Sequence, residues 1–120
     1  MVKMYENLDA WKEAINLALR IYEITKTFPK EEIYGITLQL RRAIISISNN
    51  IAEGAGRKSK KDFIQFVHIA SGSLNEAESL LYLCFRLNFI TMDTHKELEE
   101  DIKRLGRLIG GLLRYLKSGT

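Results

Sequence analysis

The sequence predicts an all-α protein, an antiparallel up-down-up-down four-helix bundle formed by residues 1–120 as one domain. Three observations carry this. Apolar residues recur at helical spacing along nearly the whole chain. One proline and eight glycines in 120 residues leave little material for the turns that many short strands require. The periodic stretches are four in number, each about 20 to 30 residues long with short connections, as in an up-down bundle.

The first segment runs from about Leu8 to Thr27. Asp9 is expected to cap its start. Phe28-Pro29 stops it, because the residue before proline is pushed out of the α region. Leu8, Trp11, Ile15, Ala18, Leu19 and Tyr22 cluster on one side, with Ala14, Leu17, Ile21, Ile24 and Phe28 beside them. Together they cover roughly 220° of the circumference, where a helix on a monomer surface needs little more than about 100°.

The second segment runs from about Glu32 to Glu53 and ends at Gly54. Ile36, Leu40, Ala43, Ile44, Ile47 and Ile51 form its main stripe. A second stripe, Leu38, Ile45 and Ala52, recurs on nearly the opposite face and is flanked by Arg41 and Arg42.

The third segment begins at Ser59, whose spacing to Asp62 resembles a capping box, and runs to about Asn88. Phe63, Phe66, Val67, Ala70, Leu74, Ala77, Leu81, Cys84 and Phe85 form its core face, widened by Ile69, Leu80, Leu83 and Leu87. The fourth begins near Thr91, with Thr94 and Glu97 at capping-box spacing. Leu98, Ile102, Leu105, Ile109, Leu112, Leu113 and Leu116 form its core stripe. Acidic residues crowd its early turns and Arg107, Arg114 and Lys117 its late ones, an order that complements the helix dipole.

Composition narrows the function classes. Apolar residues at 46% and charged residues at 28% describe an ordinary globular chain. The single Cys84 excludes an internal disulfide and fits a reducing compartment. No basic stretch followed by an apolar run suggests a signal peptide, and no apolar run is long enough to span a membrane. A cytoplasmic protein is expected. A net charge of +3 is compatible with nucleic acid without demanding it.

Catalytic and metal chemistry finds no constellation. Gly54-Ala55-Gly56-Arg57-Lys58-Ser59 superficially resembles a phosphate-binding loop, but Arg57 precedes the lysine where glycine is required, and a helix precedes the run where a strand is required. His68 and His95 are expected as solvated surface residues, and Cys84 as a packed hydrophobe. Gly106 and Gly110 have the spacing of a close helix contact. No catalytic residue, metal, cofactor or small-molecule substrate is expected.

Charge clusters offer more. Arg57, Lys58, Lys60 and Lys61 gather four cations at the start of the third helix, where free N–H groups and the dipole favour anions. Lys103, Arg107, Arg114 and Lys117 form a second strip on the fourth helix. Both are candidate nucleic-acid-binding groups. The candidate oligomer interface comprises Leu38, Arg41, Arg42, Ile45 and Ala52 with Leu17, Ile21 and Ile24, since apolar surface in excess of one core calls for a partner.

The run Ser46-Ile47-Ser48-Asn49-Asn50-Ile51-Ala52-Glu53-Gly54, followed by Gly56-Arg57-Lys58-Ser59, lies within a recognisable stretch from Phe28 to Leu81. It resembles the bacterial four-helix-bundle family of proteins encoded by intervening sequences in large-subunit ribosomal RNA genes. That family also includes the accessory variability determinant of diversity-generating retroelements. The resemblance covers nearly the whole chain. It implies a homopentameric barrel, and in the retroelement branch a basic, non-enzymatic scaffold that binds RNA and a reverse transcriptase. The intervening-sequence branch has no established activity, and the motif is common to both branches. Five copies of a +3 chain would carry about +15, enough for multivalent contact with nucleic-acid phosphates. Two expectations follow from different classes: a nucleic-acid-binding scaffold, or a structural or protein-binding oligomer whose lysines only face solvent.

Overall fold

In the computed structural model, which describes residues 4–118, four α-helices follow one another: α1 (Asp9–Thr25), α2 (Ile36–Ala55), α3 (Lys60–Arg86) and α4 (Met92–Lys117). Short 3-10 turns at Met4–Asn7 and Lys30–Glu32 precede α1 and α2. Among the described residues there is no strand. The bundle measures 47 × 24 × 23 Å, and the 27-residue α3 accounts for about 40 Å of its length at 1.5 Å rise per residue.

Residue pairings give the directions. Glu13 of α1 meets Arg104 of α4, and Arg20 meets Glu97 and Asp101. Ser46 of α2 meets Ser73 of α3, and Gly54 meets Phe66. Leu74 of α3 lies at Gly106 of α4, and Phe85 stacks on His95. Each pair of sets runs in opposite senses along its two helices, so sequential neighbours are antiparallel and α4 returns beside α1.

The core follows the expected stripes most closely on α2 and α4. On α1 it is built by Ala10, Ala14, Leu17 and Ile21, while Leu19 is exposed and Leu8, Trp11, Ile15, Ala18 and Tyr22 are half-buried, as are Phe63, Phe66 and Phe85 of α3. Ile21, Leu40, Ile44, Ile47, Ile51, Leu81, Leu98, Leu105 and Ile109 are fully buried, each contributing about 1.5–3 kcal/mol of transfer free energy. The α2–α3 pairing is the most extensive. Small residues favour close packing: Ala43 of α2 and Ala70 and Ala77 of α3 are buried, and Gly54 receives Phe63 and Phe66. The α1–α4 seam is thinner and is crossed by ion pairs. Arg20 donates to Glu97 at 3.0 Å and to Asp101 at 3.4 Å, and Arg104 donates to Glu13 at 3.3 Å.

Helix ends differ in places from expectation. Ser59 caps α3 as expected, accepting from the Asp62 N–H at 3.1 Å. For α4 the cap is Thr91, three residues before the expected Thr94, and the Thr94 N–H is its donor at 3.1 Å. Asp9 is not a cap: it is the first residue of α1, preceded by Leu8, which makes no side-chain capping bond. The start at Glu32 moves to Ile36, because residues 30–32 form a 3-10 turn and Gly35 begins the helix. Gly54 does not end α2, which continues through Ala55. At the end of α3, Asn88 takes a left-handed φ of 63°. The Phe89 N–H then reaches the Cys84 carbonyl at 2.9 Å and the Asn88 N–H the Phe85 carbonyl at 3.0 Å, a Schellman closure. Phe89 tilts onto Phe28 with ring centroids 5.3 Å apart, sealing that end of the core.

Candidate nucleic-acid interface

Antiparallel packing puts the end of α2, the start of α3 and the end of α4 at one pole. A cleft of about 270 Å³ there has Arg57, Lys58, Lys60 and Phe63 on one side and Tyr115 and Leu116 on the other. The first basic cluster thus lies at the same pole as the end of the second: Arg114 and Lys117 neighbour Tyr115 and Leu116 in sequence, though neither lines the cleft. Residues 53–62 and 107–117 together carry seven cations (Arg57, Lys58, Lys60, Lys61, Arg107, Arg114, Lys117) against two carboxylates, Glu53 and Asp62. The start of α1 adds Asp9, which shares a second cleft with Arg107.

The cations are not equivalent. Arg57 lies 3.6 Å from Glu53 and 4.8 Å over the Phe66 ring, so its guanidinium is engaged with its own chain. Lys58, Lys60 and Lys61 are exposed. Arg114 folds back along α4: β-carbons placed on Gly110 and Gly111 would lie 3.5 and 3.8 Å from its two terminal nitrogens. Gly106 approaches Leu74 of α3, but Gly110 accommodates Arg114 and no neighbouring helix, so the expected two-glycine helix contact holds at one end only. Lys103 stands apart, about 20 Å along α4 from Lys117, and lies 3.9 Å from Glu100. Tyr115, not singled out in the sequence, is 73% exposed among these cations. Its position after Arg114 at the end of an amphipathic stripe is the signal that could have found it. An exposed ring of this kind can stack on a base.

The expected interface residues divide. Ile45 is 37% exposed, Arg42 is exposed, and Leu38, Ala52 and Ile24 are half-buried. Leu17 and Ile21 correct the expectation: both are buried in the chain's own core, Ile21 completely, so neither offers surface to a second copy. The face of α1 counted as surplus is partly consumed by α2 and α4. Arg41 is committed to Thr25 and Tyr22 of α1. Other apolar groups are more open. Ile69, Leu83 and Leu87, expected to widen the α3 core, are exposed, as are Leu19, Ile33, Met92 and, at 88%, Tyr34.

His68 is exposed as expected. His95 is not a solvated residue. Its side chain is mostly covered, stacks on Phe85 with ring centroids 4.9 Å apart and lies 3.4 Å from Glu99. Burial pushes the Cys84 thiol up to about 11. Among the described residues no group of three or more His, Cys, Asp or Glu side chains is placed to hold a metal, and no helix is long and apolar enough to cross a membrane.

Comparison with known proteins gives the same architecture a family. A family model described as 23S rRNA-intervening sequence protein matches residues 6–111. A crystal structure from Bacteroides thetaiotaomicron, described as a protein with unknown function from the S23 ribosomal protein family, superposes with a TM-score of 0.81 at 25% identity, covering 88% of this chain and 98% of that one. No curated protein matches the chain significantly.

Proposed function

The chain belongs to the 23S rRNA-intervening sequence protein family, and on that footing we propose that it is a non-enzymatic, cytoplasmic scaffold that assembles with itself and binds RNA or DNA through phosphates at the basic pole. The observation that carries this reading is a cleft that sets Arg57, Lys58 and Lys60 opposite the exposed Tyr115, at the pole where α4 ends in Arg114 and Lys117. Lysines bind phosphate as point charges and carry no base information, so affinity is expected to be broad in sequence and steep in salt. Tyr115 adds a stacking surface that favours single strands.

Self-assembly, with five copies as the resemblance implies, would multiply the pole. The exposed Ile45 beside Leu38 and Ala52 supports an apolar contact between copies. In the retroelement branch such a ring would also receive a reverse transcriptase. The exposed apolar groups Tyr34, Leu83 and Leu87 favour a second reading, a protein-binding oligomer with no nucleic-acid role. Titrating the purified protein with single-stranded RNA and duplex DNA at low and moderate salt separates the two. Binding that weakens steeply with salt supports the first, and no binding at low salt leaves the second.

A further inference from the structure

We propose that a cavity at the pole opposite the basic turn is a binding site for a phosphate-sized oxyanion. The cavity is about 140 Å³ and lies where the end of α1 meets the start of α2. Thr25, Lys26, Phe28, Lys30, Thr37 and Arg41 build most of its wall, and no carboxylate lines it.

Arg41 is the organising group. Its Nε–H donates to Thr25 Oγ1 at 2.8 Å, an Nη2–H donates to the Tyr22 carbonyl at 3.5 Å, and its guanidinium lies 4.5 Å over the Tyr22 ring. Thr25 is itself buried and tied to the Ile21 carbonyl at 2.8 Å. Guanidinium has five N–H donors in a rigid fork. Two are used, and among the described residues no carboxylate pairs with the rest. An arginine pinned along one edge with its remaining donors unanswered is preorganised for an oxyanion.

The second, independent observation is Thr37. It is 4% exposed and its hydroxyl has no hydrogen-bond partner. Buried hydroxyls are rarely left this way. The hydroxyl is shielded from water as it stands, and rotation about χ1 exchanges it with the methyl group of the same side chain. After that rotation the hydroxyl would find its acceptor in a ligand held in the cavity.

The neighbouring charges agree. Lys30 brings a second cation to the wall without a carboxylate partner among the described residues. Lys26 is 3.0 Å from Glu23, so part of its charge is balanced. Glu32, before the α2 start, accepts from the Ile36 N–H at 3.4 Å and lies outside the wall, as does Glu31. The volume is more than four times the roughly 30 Å³ that one water occupies, and so admits a five-atom ion. A tetrahedral phosphate can accept from the arginine fork, Lys30 and a hydroxyl at once, where a carboxylate offers only two oxygens.

The test is calorimetric titration of the full chain with inorganic phosphate, and separately with adenosine monophosphate, against chloride at matched ionic strength. The parent is expected to bind phosphate over chloride. Arg41→Gln is expected to weaken it at least about tenfold, and Lys30→Gln and Thr37→Val severalfold. A Lys58→Gln/Lys60→Gln/Lys61→Gln variant, which removes phosphate contacts at the basic pole, is expected to retain the component of binding that Arg41→Gln weakens, which keeps the two poles separate. Should Arg41→Gln fail to fold, Lys30→Gln and Thr37→Val decide. Uptake of both probes supports a site that tolerates a phosphate monoester, and uptake of inorganic phosphate alone supports a site for the free ion. The proposal is overturned if phosphate binds no better than chloride, as when a carboxylate of a second copy covers Arg41. It is also overturned if binding is lost only in the triple-lysine variant, or if it is unchanged in both Lys30→Gln and Thr37→Val.

Discussion

Gly54 of α2 lies so close to Phe66 of α3 that a β-carbon added to the glycine would sit 2.8 Å from the Phe66 Cβ, and 2.9 Å from Cδ1 of Phe63. The Phe63 carbonyl is 3.2 Å away. Backbone and ring stems cannot yield as a flexible side-chain tip can. Gly54→Ala should therefore force α2 and α3 apart and lower stability by roughly 1–3 kcal/mol. Urea unfolding of the variant checks this, and an unchanged midpoint would mean that the two helices separate freely at this end.

Asn88 holds the turn between α3 and α4 at φ 63°. Asparagine tolerates that region and glycine enters it without strain, while other residues pay about 1–2 kcal/mol. Asn88→Gly should be neutral or stabilising, and Asn88→Val should cost at least about 1 kcal/mol. A thermal melt of the two variants distinguishes them, and equal melting temperatures would contradict the left-handed closure.

Ile45 is partly open to solvent on the outer face of α2. In an isolated chain Ile45→Glu should change stability by about half a kcal/mol or less. Buried between copies, the same charge without a partner should cost several kcal/mol. Light scattering should give the parent a mass above 13.8 kDa and the variant a smaller assembly with its helicity retained. A folded variant of unchanged assembly mass removes Ile45 from the interface.

Burial raises the Cys84 thiol from 9.0 to about 11, with the Glu32 charge adding to the shift and a backbone hydrogen bond opposing it. The folded chain thus holds the protonated form while the unfolded chain ionises near pH 9. The contribution is fully present below pH 9 and is lost as pH rises through 11, at a slope of up to about 1.4 kcal/mol per unit. Relative to Cys84→Ala, the parent should lose stability over that window. Its thiol should also resist a disulfide reagent at pH 8 until denaturant is added, and rapid native modification would contradict the burial.

Much of the fold was legible because helix periodicity is local. The stripes Leu40–Ile44–Ile47–Ile51 and Leu98–Ile102–Leu105–Ile109 announce their buried faces, and Ser59 with Asp62 announces a helix start. What could not be read is which neighbour each face meets. Leu17 and Ile21 look surplus in the sequence because the width of an apolar stripe does not say how many helices will pack on it, and α1 packs on both α2 and α4 with these two side chains in the core. His95 lost its solvated reading to Phe85, 10 residues away in sequence but stacked on it across the α3–α4 turn. The basic groups at residues 57–61 and 114–117 were visible separately. That they share one pole, with Tyr115 facing Arg57, Lys58 and Lys60 across a cleft, depends on the antiparallel return of α4.

Phosphate binding at the basic pole is the property on which the proposed function rests. Its most direct test is the salt dependence of single-stranded RNA binding by the parent and by Lys58→Gln/Lys60→Gln/Lys61→Gln. Each lost phosphate contact should reduce the slope of log K against log salt by about 0.7, so the triple variant should be flatter by about 2 per engaged subunit and weaker toward all sequences alike. Its fold should persist, because exposed charges add little to stability. A folded triple variant with the parent's affinity and slope, or a parent that binds no RNA at low salt, would remove the basic pole as a phosphate-binding site.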